Sequence, residues 1–203
     1  MEVNTKIKFL FSTVSLVLLG LLFYKIYIDF FKKDIENIYI KLENDVKEGD
    51  LILRQGLELD SSIISFMSDS KFSHIGIINS TEPLTILHAT TNDKESQNKA
   101  TIQDMRDFLK ESKNIKILRL KADEKTRLNI LKEARKHLGR AFVLSSDKDK
   151  FYCTTFLEES IKAYFDIELK YTDVDFSLFK GKYLFPQSFN ENDSFISILE
   201  LYL

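Results

Sequence analysis

One cysteine and three histidines make up the entire stock of thiol nucleophile and near-neutral base in this chain of 203 residues. Cys153 stands in Phe151-Tyr152-Cys153-Thr154-Thr155-Phe156-Leu157, where a polar stretch turns into an amphipathic helical pattern. A thiol at a helix start meets the positive end of the helix dipole and unpaired N–H groups, both of which favour the thiolate. Thiol hydrolysis also needs an imidazole to take and return the proton, and a third polar group to fix the tautomer of that imidazole. His74, in Ser73-His74-Ile75-Gly76-Ile77, and His88, in Ile86-Leu87-His88-Ala89, fall where neighbouring strands of a hairpin set two rings side by side. His88 can then engage one nitrogen of His74 and leave the other for Cys153. Both histidines precede the cysteine in chain order.

Two other uses of these residues stand beside that one. A strand histidine is often a hydrogen-bonded structural residue, and a lone cysteine is often a small core residue. Zinc accepts the set His74, His88 and Cys153, but the paired short spacings of structural zinc sites are missing, so no metal or other cofactor is expected. His137, at the end of Glu133-Ala134-Arg135-Lys136-His137, reads as a surface residue near a helix C-terminus, where a cation is favoured.

The elements that must position these groups follow from pattern. Asp50 to Leu53 reads as a first strand, and Ser61 to Ser68 as a short helix opened by Asp60 and Ser61. Phe72 to Asn79 and Leu84 to Ala89 are β-branched or aliphatic runs on either side of a turn at Glu82-Pro83, which predicts an antiparallel hairpin. Thr101-Ile102-Gln103-Asp104 resembles a capping box before a short helix carrying Met105, Phe108 and Leu109. Ile115 to Leu120 alternates as a strand. Asp123 caps a helix whose apolar stripe is Leu128, Leu131, Ala134 and Leu138, with Gly139 to stop it. A second long helix begins at Cys153 and turns Leu157, Ile161 and Tyr164 to one side. Phe195 to Leu203 is a last strand or a short helix. Strands gathered between helices define the class α+β, with an antiparallel sheet packed on helices.

The N-terminus is different in kind. Phe9 to Tyr24 is an uncharged apolar run of about 24 Å as a helix, preceded by Lys6 and Lys8 and followed by Ile26, Tyr27, Phe30 and Phe31. With Ile26 to Phe31 it approaches the thickness of a hydrocarbon core, Lys25 snorkelling and the aromatic residues lying at the interface. A cleaved signal peptide would need small residues near its cleavage point, and Phe23-Tyr24-Lys25-Ile26-Tyr27 offers none. The expected organisation is a single-pass membrane anchor over residues 1–33, a helical connector over 34–48, and one catalytic domain over 49–203 lying outside the cytoplasm. Basic and acidic residues, 29 and 31, are intermixed without a basic stripe, which excludes nucleic acid as a partner.

The order of these pieces is similar to that of a known family. Gly49-Asp50-Leu51-Ile52-Leu53, Phe72-Ser73-His74-Ile75-Gly76-Ile77, Ile86-Leu87-His88-Ala89, the loop after Leu138-Gly139-Arg140, and Phe151-Tyr152-Cys153-Thr154 resemble the YiiX-type permuted papain-like amidases. These are circularly permuted relatives of NlpC-type cell-wall peptidases and of lecithin retinol acyltransferase. The resemblance implies Cys153 as nucleophile, His74 as base and His88 as the orienting group, with Tyr152 and Thr154 lining the oxyanion side. Departures from the family pattern are His88 in place of a frequent glutamate, Ala141-Phe142 in place of Tyr-Asp, and Thr154-Thr155 in place of Ser-Glu. The expected function is a membrane-anchored cysteine hydrolase cleaving a peptide-like or lipid-like amide through a thioester. A thiol acyltransferase or lipase, and a catalytically silent module binding peptide or lipid, are the alternatives.

Overall fold

The run that carries His74 forms an inner strand of a six-stranded antiparallel sheet. The computed structural model describes residues 2–57, 64, 67–91, 98–176 and 179–203, and the backbone alone for 2–16 and 28–31. In chain order the elements are α1 (Glu2–Asp45), β1 (Leu51–Gly56), β2 (His74–Thr81), β3 (Leu84–Thr90), β4 (Lys99–Asp104), α2 (Met105–Lys110) and β5 (Ser112–Leu120). Then come α3 (Glu124–Lys136), α4 (Cys153–Lys162), β6 (Tyr171–Phe176), β7 (Phe179–Leu184), α5 (Pro186–Asn190) and β8 (Phe195–Tyr202). The large sheet has the order β4-β3-β2-β1-β5-β8, and β6-β7 form a separate hairpin. The expected helix over Ser61–Ser68 falls largely outside the described residues.

Period-two alternation sorts the sheet residues into two faces. Leu51, Leu53, Ile75, Ile77 and Leu87 cluster with Leu131 and Ala134 of α3 and with Phe156 and Leu157 of α4. On the other face Arg54 lies directly opposite His74 across the β1–β2 ladder, and the α2 residue Phe108 packs on both His74 and His88. α2 packs on β3, β4 and β5, while α4 packs on β2, β3 and α3. The sheet is thus covered on both sides, and inner strands such as β1 are buried along almost their whole length.

The Gly49-Asp50 pair that opens the domain is a clasp. The fully buried Asp50 carboxylate accepts from the Lys47 backbone N–H at 2.7 Å and from Arg119 Nε at 2.8 Å and Nη2 at 2.7 Å. These donors pin the chain entering β1 to β5 through charge-assisted hydrogen bonds.

Several expectations shift by a turn or less. The cap of α2 is Asp104, which accepts from Arg106 N–H, because Thr101 is already in β4 opposite His88. Asp123 does cap α3, accepting from Thr126 N–H at 2.7 Å, but the buried face is Arg127, Ile130, Leu131 and Ala134. Leu128 and Leu138 are exposed, since the Arg127 side chain takes the inward position and donates to Ala122 O. α3 ends at Lys136 with His137 as its cap, and Gly139 supplies the left-handed turn that follows, with φ +82°. Phe195–Tyr202 is a strand, paired with β5.

The chain divides into two compact units, Met1–Ile38 and Tyr39–Leu203. α1 runs unbroken through the expected boundary at residue 33 and ends at Asp45. Among the described residues no helix is long and apolar enough to cross a membrane, so the structure does not support the transmembrane helix expected over residues 1–33.

Candidate active site

Cys153 is the first residue of α4, and the helix start is held from two directions. Within the turn, Tyr152 N–H donates to Thr155 Oγ1 at 2.9 Å and the Thr155 hydroxyl donates to Tyr152 O at 3.2 Å. Across the fold, the Leu184 peptide at the end of β7 is used on both sides. Its N–H donates to the Tyr152 phenol oxygen at 2.9 Å, and its carbonyl accepts from the Thr154 hydroxyl at 2.7 Å. The residues flanking the cysteine are therefore positioning groups. Thr154 is fully buried and engaged with Leu184 rather than lining the cavity, whereas Tyr152 does both.

The paired register of β2 with β3 ends at Ile77↔Leu87. Beyond that point the sulfur lies against the backbone of β2, with the N–H groups of Ile75, Thr154 and Cys153 itself turned toward it. Sγ is thereby placed beside the His74–Ile75 peptide. Cys153 and His74 line one cavity, with Arg54, Ser73 and Tyr152. Its other wall is apolar, built from Phe142 and Leu144 of the loop before α4, Phe179 and Tyr183 of the β6–β7 hairpin, and Phe185.

His74 Nε2 and His88 Nδ1 are 2.8 Å apart, a hydrogen bond in which one ring donates and the other accepts. The rings meet edge to face, with centroids 5.0 Å apart and planes at 81°. His88 lies behind His74, buried, with the Phe108 ring 5.8 Å away and its Nε2 without a hydrogen-bond partner. The structure thus pairs His74 with His88 and sets His74 and Cys153 along one cavity, which His88 does not line. His137 is half-buried against Phe151 and Phe156 instead of lying on the surface, and does not line the cavity.

Gly76 makes the pairing of the two rings possible. A Cβ built on it would stand 2.6 Å from Ile86 Cγ2 and 3.2 Å from both His88 Cβ and Leu87 O. Gly76→Ala is expected to destabilise the domain by about 1–3 kcal/mol through overpacking and to shift His88 off His74. Denaturant unfolding and the imidazole resonances of the two histidines check this.

The electrostatics differ from the expectation of a ready thiolate. Burial pushes the Cys153 thiol up to about 11, and the facing N–H groups and the Arg54 charge offset only part of that penalty. Burial and then the Arg54 charge push His88 down to about 3, and burial, Arg54 and His88 hold His74 well below its free value of 6.5. At neutral pH the resting site is a neutral thiol beside two neutral imidazoles. Folding depresses both imidazoles, so once pH falls below 6.5 the unfolded chain binds more protons than the folded one. The contribution of this pair to stability is complete above pH 6.5 and is lost progressively as pH falls toward 3. Denaturant midpoints measured from pH 8 to pH 4 are expected to fall steadily below 6.5, and less steeply in His88→Phe.

Arg54 is the site residue that pattern reading passes over. It is buried in mid-strand, its Nη1 is 2.6 Å from Glu111 Oε2, and its guanidinium carbon is 4.4 Å from the centre of the Phe108 ring. The signal was a basic residue in an apolar strand, a costly placement that needs a partner.

A cysteine at a helix start, set against a strand histidine in an antiparallel sheet and following it in the chain, defines a permuted papain-like thiol hydrolase. Residues 45–192 match the family described as permuted papain-like amidase enzymes, YaeF/YiiX, C92, and the chain belongs to that family. It is a cysteine amidase-like hydrolase. Among solved structures, the fold is similar to the crystal structure of metalloprotein YiiX from Escherichia coli O157:H7. The TM-score is 0.66 at 12% identity, covering 78% of this chain and 99% of that one. At that identity the likeness establishes the fold alone. No curated protein matches the chain. Among the described residues here, no group of three or more histidine, cysteine, aspartate or glutamate side chains is placed to hold a metal ion.

Proposed function

We propose that Cys153 cleaves an amide bond as the nucleophile, with His74 as general base and acid and His88 as the group that fixes the His74 tautomer. The observation that carries this is the 2.8 Å contact of His74 Nε2 with His88 Nδ1, which commits one His74 nitrogen and leaves Nδ1 for the thiol in the cavity they share. Activity requires the tautomer in which His74 Nε2–H donates to His88 Nδ1. The Sγ proton passes to His74 Nδ1 as the sulfur adds to the amide carbon. Collapse of the tetrahedral oxyanion breaks the C–N bond, and the same proton goes to the departing amine. Water then adds to the thioester, giving a proton to His74, and collapse returns that proton to Sγ as the acid leaves. The N–H groups at the start of α4 offer fixed donors to the oxyanion.

The substrate is a peptide-like or lipid-like amide, in keeping with the aromatic and aliphatic wall opposite the thiol. N-acyl amides offered to the full chain with and without a free amine acceptor separate the functions. Release of the acid in both conditions supports the hydrolase. Product formed only with the acceptor makes the protein an acyltransferase, and binding without any product makes it a silent module.

Attachment to a membrane through α1, with the catalytic domain outside the cytoplasm, belongs to this reading. Val17, Leu18, Leu19, Leu21, Leu22, Phe23, Tyr24, Ile26 and Tyr27 are each at least 50% exposed, a large apolar surface to leave in water. The full chain should enter the detergent phase on cloud-point separation. The double variant Leu18→Lys with Leu22→Lys should remain in the aqueous phase, and equal partition of the two would remove the attachment.

A further inference from the structure

The mechanism so far gives no role to Arg54, the one Arg or Lys among the described residues that line the cavity. Arg54 is 7% exposed and is held rigidly. Glu111 takes Nη1, the Phe108 ring lies under the guanidinium, and the β1–β2 register sets the residue directly across from His74. Phe108 is a shared floor, since the same ring packs on His74 and His88 at centroid distances of 6.1 and 5.8 Å. Nε has no hydrogen-bond partner, so the guanidinium is not saturated by its own surroundings.

We propose that Arg54 is the electrostatic positioning residue of this site, a fixed cation set across the β1–β2 ladder from His74 that acts on the imidazole pair and compensates the negative charge formed on the Cys153 sulfur. The inference rests on the amidase reading above. Among the described residues, the groups facing the imidazole pair are few. β1 contributes Arg54, β3 contributes His88, the residue after α2 contributes Glu111, β4 sets Thr101 opposite His88, and α4 contributes Cys153 with Tyr152 before it. Glu111 is the one carboxylate among them, and because its side chain is 46% exposed it offsets the buried Arg54 charge only in part. The remaining field is positive. It lowers the proton affinity of His74, His88 and Cys153 alike. For an amide this has a use: an imidazolium formed beside a fixed cation is a stronger acid and gives its proton readily to the poor amine leaving group.

The test uses the full chain, in which Cys153 is the only thiol. Arg54→Gln is expected to slow iodoacetamide alkylation at pH 8 about tenfold, one unit in thiol acidity, and to move the acid limb of kcat/KM to higher pH. Arg54→Lys keeps the charge and is expected to keep the limb in place. Glu111→Gln unmasks Arg54 and is expected to speed alkylation. The inference is overturned if folded Arg54→Gln leaves both the alkylation rate and the acid limb unchanged and lowers only the amplitude of activity. Should Arg54→Gln fail to fold, unchanged or slower alkylation in Glu111→Gln overturns it as well. Alkylation does not require turnover, so loss of the amidase reading and loss of this one are separately visible.

Discussion

Cys153→Ala is expected to lower amide turnover by at least about 10³-fold while leaving the cooperative unfolding transition in place. In the proposed mechanism the sulfur is the atom that forms the covalent bond, and no other thiol exists in the chain to replace it. The two threonines that follow Cys153 do not stand in either: Thr154 Oγ1 is committed to Leu184 O and the Thr155 hydroxyl to Tyr152 O. The stability side of the expectation follows from packing. Cys153 closes one corner of the core beside Ile75 and Phe156, so losing a sulfur atom leaves a gap smaller than a methylene pair and costs about 1 kcal/mol. The start of α4 is fixed by Tyr152, Thr154 and Thr155, not by the thiol. Turnover assays beside a thermal melt measure both halves. Activity retained in this variant would remove the covalent mechanism.

His74→Ala is expected to cost about 10²–10⁴-fold in kcat, the range of a positioned general base, and His88→Ala distinctly less. His74 shares the cavity with the thiol, whereas His88 does not line it and is joined to His74 Nε2 by a hydrogen bond. The two variants also differ in their effect on stability. His88 is buried with one nitrogen unpaired, so its removal trades a desolvated polar group for a cavity, and the net loss is smaller than for an ordinary core side chain of that size. Single-turnover rates on one substrate check the ranking. A larger loss in His88→Ala would make His88 the base and His74 the orienting group.

How much of this could be read from residue order depends on how local each determinant is. The nucleophile, the two imidazoles and the α4 start are marked by short patterns, since a helix start and an alternating strand are decided over a few residues, and α4 begins at the cysteine as its pattern implies. The hairpin that brings His74 to His88 is equally local, because only the turn at residues 82–83 separates β2 from β3. Arg54 was not legible. Its meaning comes from Glu111, 57 residues away, and from the Phe108 ring. The β6–β7 hairpin was missed for a similar reason: its strands carry Asp173, Asp175, Lys180 and Lys182, and most of their residues are not buried. It is stabilised through contacts of Val174, Tyr183 and Phe185 with Tyr152. In the α3 stripe Leu131 and Ala134 are buried as their spacing implies, but Arg127 and Ile130 complete the face in place of Leu128 and Leu138, because a buried arginine stem does not register as apolar.

The thiol shows where a local rule loses to its surroundings. A helix start favours the thiolate by about 1 kcal/mol or less at an exposed site, but here burial is the larger effect, and the thiol is pushed up to about 11. In the proposed mechanism the nucleophile is then made when the base takes its proton in the course of attack, with no standing ion pair to display at rest. Alkylation of Cys153 near neutral pH is accordingly expected to be slow in the free protein, in contrast to the fast reaction that a helix-start cysteine suggests by itself.

Mass spectrometry of the intact chain, quenched in acid during turnover of an N-acyl amide, addresses the covalent step itself. The mechanism predicts a mass increase equal to the acyl group, mapped by peptide digestion to Cys153, appearing before free acid and accumulating when His74 is replaced by a weaker base. Turnover with no adduct at any time, or an adduct carried by another residue and kept in Cys153→Ala, would contradict it.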